Sequence, residues 1–217
     1  MMITKVDALS HVFGDRSLFD NFSIEQDAGH HLLLLGPSGS GKTTLINFLT
    51  GLATPDSGTV SIAGEPMTGI SGAARDDLRR RKIGVVFQTL RLVSALTVRG
   101  NLRLAQKLAG VDVDDRAIDA LLDAVGIAHR ADAAPYALSQ GEAQRAAIAR
   151  ALVAKPALLI ADEPTSALDD ANAKRIGRLL LDTANANGST LLIATHDTRL
   201  KSFISDSIAL SPAFEAA

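Results

Sequence analysis

The stretch on which the fold turns is Leu32-Leu-Leu-Leu35-Gly36-Pro37-Ser38-Gly39-Ser40-Gly41-Lys42-Thr43-Thr44. Its four consecutive leucines suit a strand buried on both faces, as in a parallel sheet covered by helices. The run passes directly into Gly36–Thr43, which fits G-x-x-x-x-G-K-[ST] at every fixed position, and then into a helical segment, Thr44–Thr50. Glycines at this spacing let successive backbone N–H groups point inward around a polyphosphate, and the helix N-terminus adds partial positive charge. In such a loop Lys42 reaches the β- and γ-phosphates and the Thr43 hydroxyl ligates Mg²⁺. The plain alternative is a flexible glycine turn with an exposed lysine, and the strand–loop–helix context speaks against it.

Three further apolar runs end the same way. Ile83–Phe87 delivers Gln88, Leu158–Ala161 delivers Asp162 and Glu163, and Leu191–Thr195 delivers His196. Polar residues just after buried parallel strands collect at the carboxyl edge of the sheet, where open α/β folds bind ligands. The pattern predicts one site assembled from four distant parts of the chain. An aspartate ending an apolar strand is the usual partner of a phosphate-loop Mg²⁺. A glutamate beside it suits a general base toward an attacking water. Alone, an Asp-Glu pair reads as a solvated turn and a histidine as a surface or core residue; the phosphate loop reverses both readings.

The remainder reads as one unit of 217 residues without repeats, low-complexity tracts or long charge blocks. Ile3–Leu9, Ser23–Gln26 and Thr59–Ala63 are partly alternating strand segments, and Thr54–Gly58 is a turn cluster. Ile118, Leu121, Leu122 and Val125 form a helical stripe ended by Gly126, and Asp170–Asn185 is a helix ended at Gly188. Twenty-two Lys and Arg against 24 Asp and Glu give a net charge of −2, no basis for electrostatic capture of nucleic acid or an acidic membrane. Arg79–Lys82 follows Asp76-Asp77 on a helical surface and reads as a solvated basic face. Without cysteine there is no thiolate metal site or cysteine nucleophile. No apolar run approaches the roughly 18–20 residues that cross a bilayer, and Met1–Ser10 lacks a secretory signal pattern. Service to a membrane is therefore expected from the cytoplasm, through another polypeptide.

Leu138-Ser139-Gln140-Gly141-Glu142, followed by Gln144-Arg145-Ala-Ala-Ile-Ala-Arg-Ala-Leu152, resembles the signature motif of ATP-binding cassette (ABC) transporter nucleotide-binding subunits. Gln88 matches that family's Q-loop, Leu158–Glu163 its Walker B strand, Ser166–Asp169 its D-loop and His196 its switch histidine. Ser139 lies 97 residues after Lys42, Asp162 lies 23 after Ser139, and His196 lies 34 after Asp162. The resemblance covers roughly residues 3–210. It implies an α/β fold, a P-loop NTPase (RecA-like) core with an antiparallel β subdomain and a helical signature subdomain at about residues 100–154.

The resemblance further implies that two subunits sandwich two ATP molecules head to tail. Gly36–Thr44 hold phosphate, and Thr43, Gln88 and Asp162 arrange Mg²⁺ and water. Glu163 takes the proton, His196 touches the γ-phosphate, and Asp169 belongs to the D-loop at the nucleotide interface. Ser139 and Gly141 contact the γ-phosphate held by the other subunit. Read bottom-up, Ser139-x-x-Glu142 is also an ordinary capping box, and a helix start with open donors serves as both cap and anion site. Gln140 departs from the commonest glycine and must tolerate that glycine's backbone angles. Phe13 is the counterpart of the adenine-stacking aromatic or, beside Val12, a core residue. His11, His30, His31 and His129 carry no metal-ligand spacing.

Within the family, Gly36–Leu45, Ile83–Gln88 and Leu96–Val98 look most like the lipoprotein-release, macrolide-export and cell-division ATPases. The match weakens at Arg99-Gly100-Asn101, in the segment Thr89–Leu102 where a partner helix is expected to dock. The implied partners are a second nucleotide-binding subunit, most simply a homodimer, and an integral membrane permease, with no nucleic acid. The implied place is cytoplasmic, peripheral on the inner face of the cell membrane. A soluble ABC-type ATPase not coupled to transport is the alternative. Ribosome-acting cassettes carry two cassettes per chain, chromosome ATPases carry a long coiled coil, and small-molecule kinases lack the signature.

Overall fold

The structure, a computed structural model, describes residues 1–166 and 168–211 and the backbone of 214–215. Two strands of 12 residues open the chain, β1 (Met2–Phe13) and β2 (Arg16–Asp27), paired antiparallel with Phe13 opposite Arg16. Both run beyond the segments Ile3–Leu9 and Ser23–Gln26 expected from alternation. The reason is local: the β1 register shifts between Val6 and Leu9, where Ala8 takes φ +50°, so the inward-facing series is interrupted.

Next come β3 (Leu32–Leu35) and helix α1 (Lys42–Leu49). Strands β4 (Ser57–Ile62) and β5 (Glu65–Pro66) extend the antiparallel sheet, which a short C-terminal strand, Phe214–Glu215, joins beside β2.

The predicted apolar runs form the second sheet. β6 (Ile83–Val86), β7 (Leu158–Asp162), β8 (Thr190–Thr195) and β9 (Ser207–Ala209) combine with β3 in the order β6-β7-β8-β3-β9, every pair parallel. Burial on both faces explains why β3, β6, β7 and β8 are apolar along their length, whereas β9 at the sheet edge is exposed at Ser207 and Ala209. Leu33, Leu35, Leu159, Ala161, Leu191 and Ile193 face one core; Leu32, Leu34, Leu158, Ile160, Leu192 and Ala194 face the other.

The first of these cores is closed by α3 (Val98–Leu108), α4 (Asp115–Ala124), α5 (Gln140–Leu152) and α6 (Asp170–Ala186). The second is closed by α1 and the antiparallel sheet. In α4 the expected stripe of Ile118, Leu121 and Leu122 is buried with Val125. Gly126 and Gly188 follow their helices at φ +73° and +68°, where glycine carries no Cβ penalty.

Helix α2 (Gly72–Lys82) carries the basic run, and its charges are locally matched. Arg81 pairs with Asp77 at 2.7 Å and Glu65 at 3.1 Å, Lys82 with Glu65 at 3.4 Å, and Arg79 with Asp76. Buried Asn101 ties down the approach to α3: its Oδ1 accepts from Val93 N at 2.7 Å and its Nδ2 donates to Thr97 O at 2.9 Å. Among the described residues no helix is long and apolar enough to cross a membrane.

Candidate active site

The parallel sheet order brings the four strand ends to one edge. Because β8 lies between β3 and β7, the loop after β3 passes over the end of β8, with Gly36 N donating to Thr195 O at 3.2 Å. Gly41, at φ +89°, turns that loop into α1 and leaves the helix start without a side-chain cap. A Cβ on Gly41 would lie 2.9 Å from the Phe19 ring, so only glycine fits both the angle and the space. Free N–H groups at the start of α1 therefore face a cavity of about 410 Å³.

The cavity is lined by Phe13, Leu18, Ser38, Gly39, Gly41, Lys42, Thr43, Thr44, Gln88, Glu163, Ser166 and His196. Ten of the residues expected at the site thus converge there. Phe13 is 72% exposed at its mouth, which overturns the core alternative for this side chain. Leu18, which sequence reasoning did not single out, supplies a second apolar wall.

Lys42 is almost fully buried, and its three N–H donors are all engaged. They meet Gly36 O at 2.6 Å, Pro37 O at 3.0 Å and Glu163 Oε1 at 3.2 Å. The other Glu163 oxygen accepts from Thr195 Oγ1 at 3.2 Å and lies 3.0 Å from His196 Nδ1. Glu163 sits in the left-handed region at φ +48°, fixed by its N–H to Ala194 O at 2.8 Å. An unusual angle at a strand end aims this carboxylate back into the cavity. A polyphosphate entering the loop offers Lys42 a stronger acceptor than two carbonyls, and so frees Glu163 from its cation.

Asp162 lies beneath. Its Oδ2 is 3.4 Å from Thr43 Oγ1, and its Oδ1 is buried with no hydrogen-bond partner. Burial, then the neighbouring Glu163 charge, pushes this carboxyl above the usual range. A buried carboxylate with an unmet oxygen beside a hydroxyl is the environment a hard divalent cation relieves. The all-oxygen set of Thr43, Asp162 and the Gln88 amide therefore fits Mg²⁺.

Two residues that support the site carry no local sequence signal. Thr195 holds Glu163 as described. Asp197, buried directly after His196, accepts from Thr165 Oγ1 at 2.7 Å and from Arg199 Nε and Nη2, both at 2.7 Å. Arg199 also pairs with Asp170 at the start of α6. The Asp197 carboxyl is held down at about 2, first by Arg199. A depressed carboxyl stabilises the fold above its unfolded value near 4 and loses that contribution as pH falls toward 2. Asp197→Asn is expected to lower unfolding free energy by about 2 kcal/mol at pH 7. The gap from the parent should close between pH 4 and 2 in urea titrations. A gap independent of pH would remove the charge from the explanation.

Other expected residues lie apart from the cavity. Ser139 and Gly141 are exposed at the start of α5. Ser139 caps that helix: its Oγ accepts from Glu142 N at 3.3 Å, and Glu142 Oε2 accepts from Ser139 N at 2.8 Å. The capping-box reading holds. Gln140 is the first residue of the helix and is not among the residues with positive φ, so glycine's special angles are not required of it. A Cβ on Gly141 would meet nothing within 4 Å, so the fold of this single chain gives no reason for glycine there. Asp169 caps α6 by accepting from Asn172 N at 2.9 Å and is exposed. Of the D-loop Ser166–Asp169, Ala167 lies outside the described residues. Among the histidines without assigned chemistry, His31 has a structural part: its Nδ1 accepts from Leu191 N at 3.0 Å.

A glycine loop capping a helix, a buried lysine within it, and an Asp-Glu pair at a neighbouring strand end define a P-loop nucleotide-binding protein. The ABC transporter family model matches residues 19–166. The chain is 41% identical over 210 residues to the methionine import ATP-binding protein MetN of Rhizobium johnstonii, covering 96% of this chain and 58% of that protein. An uncharacterized ABC transporter ATP-binding protein of Mycobacterium tuberculosis is 41% identical over 200 residues, covering 89% and 81%. The chain thus spans only about half the length of the MetN proteins it matches. Among solved structures, the dimeric bacterial ABC transporter cassette MJ0796 superposes with TM-score 0.85 at 30% identity, over 97% of this chain and 95% of that one. CbiO1 of Clostridium perfringens, part of the cbiONQ complex, gives 0.86 at 28% identity, over 98% and 87%. The chain belongs to the ABC transporter family, of which it is an ATP-binding cassette.

Proposed function

We propose that this chain is one nucleotide-binding domain that dimerises on ATP, hydrolyses it, and powers a separate membrane-embedded transporter or mechanotransmission complex. One observation carries the reading. The phosphate cavity holds a lysine, a base and a histidine in contact, while the exposed cap of α5 lies outside it with an unexplained glycine. A second copy, most simply identical, closes the cavity by bringing its own Ser139 and Gly141 to the γ-phosphate. That MJ0796 is dimeric, and has been captured with ADP and Pi, supports this assembly.

In this mechanism the triphosphate displaces the Gly36 and Pro37 carbonyls from Lys42 and takes the free amides at the start of α1. Phe13 and Leu18 hold the adenine. Thr43, Gln88 and Asp162 hold Mg²⁺, which when bound neutralises phosphate charge. Glu163, released from Lys42 and kept in place by Thr195, accepts a proton from the attacking water, and His196 donates to the γ-phosphate. Hydrolysis breaks the bond between the γ-phosphate and ADP, and departure of the inorganic phosphate removes the charge that bridges the two copies and lets them part.

The Asn101-braced segment Thr89–Leu102, which leads into a helical subdomain at about residues 100–154, receives the membrane partner from the cytoplasmic side. The reading gives nucleic acid no part, which the pairing of the basic run on α2 with acids supports. The test is capture of tagged protein in mild detergent from its source membranes. A stoichiometric integral membrane companion is expected. A chain that hydrolyses ATP but brings down only soluble proteins would establish the alternative, an ATPase uncoupled from transport.

A further inference from the structure

Glu142 puts a carboxylate three residues after the serine assigned above to a second copy's triphosphate, and an unmatched negative charge there would repel phosphate. In the structure both of its oxygens are occupied. Oε2 accepts from Ser139 N and from Ser139 Oγ, each at 2.8 Å. Oε1 accepts from Arg130 Nε at 2.6 Å, with His129 Nε2 3.5 Å away. Because an ionised carboxylate only accepts, the Ser139 hydroxyl proton points at Glu142, and Ser139 Oγ itself accepts from Glu142 N. Arranged this way, the serine has no proton to give a phosphate.

To bind phosphate, Ser139 must turn its O–H away from Glu142. The carboxylate then keeps the Ser139 backbone N–H and Arg130. The place of Arg130 is built into the fold. It ends the 3-10 turn Ala128–Arg130, and the next residues anchor α3: Ala131 O accepts from Arg99 N at 2.8 Å and Ala133 O from Val98 N at 2.9 Å. The guanidinium is thus carried next to the carbonyls that anchor the first turn of α3, where the docking segment ends.

We propose that Arg130 is a positioning residue for ATP-driven pairing: it holds and neutralises Glu142 so that the Ser139 hydroxyl is free to turn to the γ-phosphate of a second copy. The proposal rests on the paired reading of the site. Glutamate at this position then requires its arginine, whereas a neutral glutamine would not. The same bonds that compose the capping box keep the Glu142 carboxyl at about 2, so it is charged whenever ATP arrives.

The test uses the hydrolysis-stalled variant Glu163→Gln as parent and reads the ATP concentration for half-maximal dimer by sedimentation. Adding Arg130→Ala should raise that concentration roughly tenfold, by analogy with other charge-assisted contacts. Adding Glu142→Gln as well should restore it to about twofold of the parent, and 0.5 M salt should narrow the deficit by screening. ADP affinity should be unchanged by Arg130→Ala, since the ion pair is remote from the chain's own phosphate loop, whereas the melting temperature should fall modestly because the capping-box carboxylate loses its partner at 2.6 Å. Should that variant not fold, Arg130→Gln carries the same comparison with its stem retained. Normal dimerisation without Arg130, or a deficit that Glu142→Gln leaves in place, overturns the proposal. A parent that fails to dimerise at all overturns the paired reading itself, before Arg130 is touched.

Discussion

Glu163→Gln is expected to slow ATP hydrolysis by roughly 10²–10⁴-fold while leaving ATP bound. The amide keeps the side chain's size and can still accept from Thr195 Oγ1, now 3.2 Å from the carboxylate. What it loses is proton affinity, so the attacking water has no base. It also loses the charge that pairs with Lys42 at 3.2 Å and competes with phosphate for it. ATP should therefore be held at least as well as by the parent. Steady-state phosphate release and equilibrium binding of labelled ATP check the two halves. Near-normal turnover would remove Glu163 from the base role, and a large loss of binding would show that its part is structural.

Lys42→Ala is expected to weaken ATP and ADP binding by roughly a hundredfold, in line with truncation of one partner in a buried charge pair. Turnover should fall below detection. Lys42 is only 6% exposed, and its loss leaves Gly36 O, Pro37 O and Glu163 without their shared cation. The variant therefore also bears two acids, Glu163 and the partly unmet Asp162, beneath an anionic ligand. Lys42→Arg should not restore binding, because the bulkier planar guanidinium cannot point three N–H groups into the same loop. Calorimetric titration with ADP, which needs no second copy, measures the effect. Binding within threefold of the parent would place the phosphates elsewhere.

Four strands of the parallel sheet were legible because they are buried on both faces and therefore apolar almost without interruption; β9, exposed at Ser207 and Ala209, carried no such signal. Leu32–Leu35, Leu158–Ala161 and Leu191–Thr195 are strands of that sheet with at most one residue added at an end. The polar residue after each run then had to sit at the carboxyl edge, so Lys42, Gln88, Asp162, Glu163 and His196 were visible together. The antiparallel sheet was read short. Bulges near Ala8 break the alternation of β1, and the hairpin's outer residues face solvent.

Contacts between distant residues left no local trace. Thr165 with Asp197, Arg130 with Glu142 and Gln144 Nε2 with Pro164 O join segments 12 to 32 residues apart through single side chains. No periodicity encodes such pairs. Phe13 was undecided for a related reason: an apolar residue at the exposed end of a strand looks the same in sequence whether it awaits a ligand or a core.

The central claim is that ATP, not the protein surface alone, joins two copies through Ser139 and the phosphate loop. Sedimentation of Glu163→Gln with and without ATP tests it most directly. The account expects monomer without nucleotide or with ADP, and a dimer with ATP that Ser139→Arg abolishes while single-chain ADP binding persists. A variant that stays monomeric in saturating ATP, or that dimerises equally without it, contradicts the account.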